Sequence, residues 1–271
     1  MDAATGKCAF DQHSYFYVQN AETDGSTTYA YECKGCGDVA YSKNVSTAVK
    51  KFISGNEVAT GATDYAAKGT SSVGVGEDGT FYGRVTNYQE IWWMRHQQDF
   101  TAGTGNKLNN KFMDVGASKY FVVRIKTSNA SQWLSFYMST TGKNGEGYSV
   151  SDDGTITRPT TNGYTSLSLL LPQTSKTGEW TTYVFNLEEV FADYYVKDPE
   201  TGHYIIDTFA ITYGTGFDAD FEFIAFVDGD WSDIGALTTD ETVVYITDRA
   251  NKTFVIKDAD TGENVTKLEF R

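Results

Sequence analysis

From about Thr60 onward the chain reads as short stretches in which apolar and polar residues alternate, the period of a strand with one buried face. Strands are predicted at residues 120–127, 133–139, 166–171, 180–187, 205–213, 221–228, 242–247 and 253–257, separated by Gly, Asn and Asp turns. Such a series without intervening helices predicts an all-β fold, an antiparallel β-sandwich or jelly roll. Helical signals are confined to residues 45–53, with Ser46 as a cap, and to 187–194, a short surface turn carrying Glu188 and Glu189. No strand–helix–strand rhythm and no repeat of solenoid length is present.

The alternation also assigns faces. Phe121, Val123 and Ile125 predict core, and Tyr120, Arg124 and Lys126 share the other side, which should face water because two long cations are costly inside. On the next strand Leu134, Phe136 and Met138 predict core, leaving Trp133, Ser135 and Tyr137 on the polar face. Trp133 and Tyr137 beside Arg124 would make a platform for a pyranose, whose C–H groups stack on aromatic rings while polar side chains bind hydroxyls. The competing reading has Trp133 covered by a crossing loop. Trp92 and Trp93 are adjacent, so a strand there sends them to opposite faces, and Arg95, His96, Gln97 and Gln98 follow with hydrogen-bonding groups. Trp180 begins a strong strand and reads as packing. Trp231 lies in the acidic turn 228–233, where a ligand contact and a buried corner are both open. Carboxylates there and at 258–264 offer oxygen ligands for Ca²⁺. The carbohydrate-binding candidates are Trp92, Trp93, Arg95, Gln97, Arg124, Trp133, Tyr137 and Trp231.

The beginning of the chain is different, holding all three cysteines, Cys8, Cys33 and Cys36, together with His13. In Cys33-Lys34-Gly35-Cys36-Gly37 the Cys-x-x-Cys hairpin turns two thiolates toward one ion, and Cys8 and His13 could complete a tetrahedral zinc site. A disulfide between two of the three is the alternative, favoured in a secreted chain. Either would staple an appendage too small for its own core. The pattern from Cys8 and His13 to Cys36-Gly37 resembles small Cys/His ribbons in surface proteins of gut Gram-positive bacteria. The expected organisation is a Cys/His appendage at 1–55, a β-sandwich at 56–240, and C-terminal strands and tail at 241–271 that pack on the sandwich or lead out of it.

The 271 residues carry a formal net charge of −14 with no basic cluster, which argues against nucleic acid and anionic membranes but does not repel a neutral glycan. No apolar run of about 18 residues exists, so membrane insertion is not expected, and residues 1–10 lack the features of a signal peptide. Asp218, Asp220 and Glu222 share a strand face and resemble the Glu-x-Asp-x-Glu arrangement of jelly-roll glycoside hydrolases, but depart from it at the first residue. A solvated acidic face explains them equally well. His96 and His203 have no evident Ser or Cys partner, and the glycines of 69–79 lack the lysine and helix of a phosphate loop.

The strings beginning at Lys119, Trp133, Trp180 and Phe221 are similar to β-sandwich modules of gut bacterial glycan-degrading surface proteins, and look most like the starch-adherence proteins of ruminococcal amylosomes. That resemblance implies non-catalytic binding of an α-glucan such as starch or a maltooligosaccharide. It also implies a secreted or cell-surface location, as a monomeric module of a longer multimodular protein. The alternative is a structural or adhesin domain that binds protein, with its aromatic residues in core and turns. A glycosidase would instead show a cleft with paired carboxylates.

Overall fold

A computed structural model of the chain describes residues 8, 15–19, 26–33, 35–46, 49–54, 66–67, 70–76, 80–94, 113–128, 133–145, 147, 149–150, 152, 156–157, 165–249 and 253–265. In chain order the strands are β1 (Tyr15–Gln19), β2 (Ser26–Cys33), β3 (Val39–Ser46), β4 (Val49–Ser54), β5 (Ala66–Ala67), β6 (Thr70–Val75), β7 (Phe81–Met94), β8 (Met113–Asp114) and β9 (Tyr120–Thr127). They continue as β10 (Trp133–Thr140), β11 (Ser149–Val150), β12 (Ile156–Thr157), β13 (Thr165–Leu170), β14 (Trp180–Asn186), β15 (Ile205–Val227), β16 (Thr242–Asp248) and β17 (Thr253–Asp258). Short helices α1 (Leu171–Thr174), α2 (Leu187–Val190) and α3 (Trp231–Gly235) join them. None among the described residues is long and apolar enough to cross a membrane.

The fold is an all-β sandwich with a small cysteine-bearing sheet near its N-terminus. β1, β2 and β3 form that sheet by themselves, and a 12-stranded sheet makes the sandwich. One strand produces both layers. The first part of β15 pairs with β10, and beyond β10 lies β13; its last part pairs with β9, followed by β14, β16 and β17. Phe209 and Phe226 sit at opposite ends of β15, and in a straight strand they would lie roughly 55 Å apart. Their ring centroids are 6.0 Å apart. β15 therefore doubles back, and its register with β7 slips between Thr212 and Phe217, where the bend falls.

The core fills the space between the layers. Phe121, Val123 and Ile125 from β9 meet Leu134, Phe136 and Met138 from β10 and Phe209 and Ile211 from β15. Phe121 is the hub, with the rings of Phe136, Phe185, Phe209 and Phe226 all within 5.4 Å of its own. A bulge at Glu222 reverses the alternation of β15, so Phe221, Ile224 and Phe226 face this core. Phe223, Ala225 and Val227 face outward into a second, smaller core with Val122, Val184 and Val243, closed by Ile234 of α3.

Two predicted features change. The described residues of 45–53 are strand, not helix: β3 pairs Val45 with Thr27, and β4 pairs Ile53 with Ile224. The Val, Phe and Ile residues of this stretch suit a pleated surface, and pairing with distant strands overrides the local helical signal. The strands expected at 205–213 and 221–228 are one continuous strand, β15. α2 forms where expected, with the Asn186 side chain accepting from the Glu188 amide at 3.2 Å.

The segments Asp198-Pro-Glu-Thr-Gly202 and Asp258-Ala-Asp-Thr-Gly262 fold into the same turn. In the first, the Asp198 carboxylate accepts from the Glu200 and Thr201 amides at 3.0 Å, and Gly202 closes the turn at φ 71°. In the second, the Asp258 carboxylate accepts from the Asp260 and Thr261 amides at 3.1 and 2.8 Å, with Gly262 at φ 73°. Asp198 is fully buried and also accepts from Thr141 Oγ1 at 3.0 Å. Burial raises its pKa, but the hydrogen bonds from Thr201, Thr141 and Glu200 together outweigh that and hold it below the ordinary value. A carboxylate with a depressed folded pKa contributes stability that is present above about pH 4 and lost as pH falls through the lowered value. Asp198→Ala is expected to cost about 2 kcal/mol at pH 7 in urea unfolding, and the gap from the unsubstituted chain should narrow at about pH 3; an equal gap at both pH values would refute this.

Candidate functional site

Alternation places Trp133, Ser135 and Tyr137 on the outer face of the layer whose inward residues are Leu134, Phe136 and Met138. Trp133 is 41% exposed, against complete burial of Leu134 beside it. That exposure favours the outward reading of Trp133 over one in which a crossing loop buries it. The register with β13 aligns Trp133 with Leu170, Ser135 with Ser168 and Tyr137 with Ser166. Ser135 Oγ and Ser168 Oγ share a hydrogen bond of 2.6 Å.

The alignment continues across the sheet. Tyr137 is opposite Ala210 on β15, Ala210 is opposite Trp92 on β7, and Trp92 is opposite Ala66 on β5. Tyr137 and Trp92 thus occupy one cross-strand row with the small residue Ala210 between them, their backbones about 10 Å apart. Trp93 falls where the register slips between Ala210 and Phe209. The side chains of Trp92 and Trp93, and residues Arg95, His96 and Gln97, lie outside the described residues. Only the strand order could reveal Ser168 and Ala210 as neighbours of these aromatic residues, since neither carries a signal of its own.

Arg124 does not join this platform. It lies on β9, whose inward residues meet the same core from the other layer, so Arg124 is on the opposite outer face of the sandwich from Trp133 and Tyr137. Nor is it solvated: it is 9% exposed, paired with Glu222 and, at 2.7 Å, with Asp240 Oδ1. Burial pulls its pKa down, but Asp240 and Glu222 outweigh that and raise it. Thr182 Oγ1 donates to the second Asp240 oxygen at 2.6 Å, and the guanidinium stands 5.1 Å from the Trp180 ring. A buried cation is thus tolerated because both acids lie within reach.

On the same face Asp220 is paired with Arg84 at 2.9 Å and Lys126 at 3.2 Å. Two acids of the hydrolase-like triplet are therefore committed to cations, Asp220 to Arg84 and Lys126 and Glu222 to Arg124. Trp180 is half-buried beside them, with Lys126 4.7 Å from its ring.

Trp231 is a packed corner at the start of α3. Its Nε1 donates to the Ala259 carbonyl at 2.9 Å, Tyr245 lies 5.8 Å away, and a Cβ added to Gly262 would come within 2.8 Å of its ring. Neither acidic segment gathers carboxylates for Ca²⁺: among the described residues the cluster able to hold an ion consists of Cys8, Cys33 and Cys36. At 258–264 the carboxylate of Asp258 is taken by backbone amides of its own turn. The cysteine sulfurs lie within 4.8 Å of one another, those of Cys8 and Cys33 at 3.8 Å, and none is disulfide-bonded. The Gly37 amide bonds to the Cys33 carbonyl at 2.8 Å and Gly37 has φ 68°, which folds Cys36 back toward Cys33. A Cβ at Gly35 would approach Cys8 Sγ to 3.0 Å. The Cys8 thiol is pushed up to about 11, first by a hydrogen bond with Cys36, then by burial and by Cys33. His13 lies outside the described residues.

No family model matches the chain, and no curated protein matches it. Among solved structures it is similar to one titled "Structure of PfGH50B", at 10% sequence identity and a TM-score of 0.29, over 63% of this chain and 23% of that one. The chain thus spans less than a quarter of that structure's length, and the likeness is too slight to carry an argument.

If Arg124 is a structural ion-pair centre, Arg124→Met should destabilise the fold by about 3 kcal/mol, because Glu222 and Asp240 lose their shared cation. Thermal unfolding checks this, and an unchanged melting temperature would refute it.

Proposed function

We propose that this chain is a non-catalytic carbohydrate-binding module, and that it binds an α-glucan on the outer face carrying Trp133. The observation that supports it most is the exposure of Trp133, whereas Trp180 and Trp231, the other tryptophans whose side chains are described, are engaged by neighbours. The exposed Trp133 ring offers stacking for pyranose C–H groups, and the half-buried Tyr137 and Ser168 on the same face offer partners for hydroxyls. Trp92, aligned with Tyr137 through Ala210, is the second stacking candidate. Such a shallow surface suits modest affinity for one short glycan, raised by multivalency if the chain is a module of a longer surface protein. The three-cysteine cluster fits a structural zinc ion: tetrahedral thiolate ligands at about 2.3 Å stand about 3.8 Å apart, the Cys8–Cys33 separation is 3.8 Å, and a disulfide would require about 2.05 Å. Cys8, Cys33 and Cys36 would hold it, and its chemistry there is to cross-link the N-terminal segment to the β2–β3 turn.

Depletion of the protein by granular starch, compared with cellulose, xylan and mucin, tests the glycan reading. Trp133→Ala should weaken binding some thirty-fold, the loss of about 2 kcal/mol expected of an aromatic anchor, with a nearly unchanged melting temperature because the ring is exposed. Wild-type protein left in solution by every polysaccharide would move the reading to a protein-binding adhesin domain. For the metal, native mass spectrometry should find about one zinc per chain, lost in Cys36→Ser; an intact Cys–Cys link in the native protein would overturn the site.

A further inference from the structure

The outer face opposite Trp133 holds a cavity of about 470 Å³, lined by Arg84, Lys126, Ser128, Gly178, Asp218 and Asp220 among others. It opens where β9 ends and β14 begins, next to a row in which Ser72, Arg84, Asp220, Lys126 and Trp180 are aligned across five strands. Its volume lies in the range of small-ligand sites.

The charges in it are balanced. Arg84 and Lys126 supply two cations, and Asp218 and Asp220 two carboxylates. A bound anion would meet both carboxylates and a bound cation both basic groups, so neither is favoured. A neutral ligand whose every group both donates and accepts suits such a lining, and a polyhydroxylated ring is that ligand.

The polar groups are also held in place before any ligand arrives. Asp220, its side chain 9% exposed, fixes Arg84 through Nε at 2.9 Å and Lys126 through Nζ at 3.2 Å, while the Tyr82 hydroxyl accepts from Arg84 Nη2 at 3.0 Å. Arg84 Nη1 has no hydrogen-bond partner among the described residues, on a side chain that is 47% exposed. Donors fixed in this way lose little freedom on binding, which favours affinity from few contacts. Tyr82, the acceptor for Arg84, is itself buried and packs tightly on Gly74, where a Cβ would collide with the Tyr82 ring.

We propose that this cavity is a second binding site for a neutral oligosaccharide, independent of the Trp133 face, so that one module holds two glycan segments on opposite sides of the sandwich. The ligand class rests on the carbohydrate reading above; the site rests on the cavity and its fixed, balanced charges. The test is calorimetric titration of the full chain with maltoheptaose, cellohexaose and xylohexaose. Four forms would be compared: the unsubstituted chain, Trp133→Ala, Ser128→Trp, which fills the cavity from an exposed rim position, and the double variant. Arg84→Gln serves as a milder second cavity variant, and circular dichroism checks that each form is folded. Expected are two sites in the unsubstituted chain, one left in Trp133→Ala, and none in the double variant, with Arg84→Gln weakening the cavity site at least five-fold. Loss of all binding in Trp133→Ala would overturn the second site and leave the platform standing. Full binding in Trp133→Ala together with its loss in Ser128→Trp would overturn the platform and leave the cavity. No heat with any of the three sugars would overturn both.

Discussion

The contact between Phe209 and Phe226, two rings of a single strand, sets the geometry of this protein. For residues so far apart on β15 to touch, the strand must turn back over itself, and its two parts then become members of facing layers. Phe121 lies where the layers meet, with rings from both against it. Each such aromatic pair contributes about 1 kcal/mol beyond its burial, so the centre of the sandwich is fixed more firmly than its surfaces.

The fold decides which surface each residue reaches. Because β9 and β10 belong to different layers, residues that alternate out of the core on one strand emerge on the far side from those of the other. One outer face carries Trp133 and Tyr137 over small residues. The other is divided: towards α3 it is covered by the second apolar core, and towards the start of β14 it is charged, with Arg124, Lys126 and Arg84 each matched to an acid. For the buried Arg124, charge matching takes the place of solvent.

Much of this was legible from alternation alone. The inward sets of β9 and β10 follow from a period of two, which acts within one strand and needs no knowledge of its partners. What required the partners was not legible. Alternation sends Arg124 to solvent because a cation on a strand normally finds it there, and nothing local announces that Glu222 and Asp240 will stand within reach. The same limit applies to the helix expected at 45–53, where pairing with β2 and β15 decided the backbone. The acidic turn at 258–264 differs from expectation for another reason: spaced carboxylates suit a cation, but Asp258, three residues before Thr261-Gly262, satisfies its own backbone first.

β4 and the final stretch of β15 come from opposite halves of the chain, and β14 lies parallel to β16, which only a long crossover permits. During synthesis, then, β4 leaves the ribosome long before the strand it pairs with, and its open edge must wait in a nascent chain that already carries β7, β9 and β10. Closure of the sandwich is consequently a late event dominated by distant contacts, and slow folding is the cost of building two layers from one doubled strand.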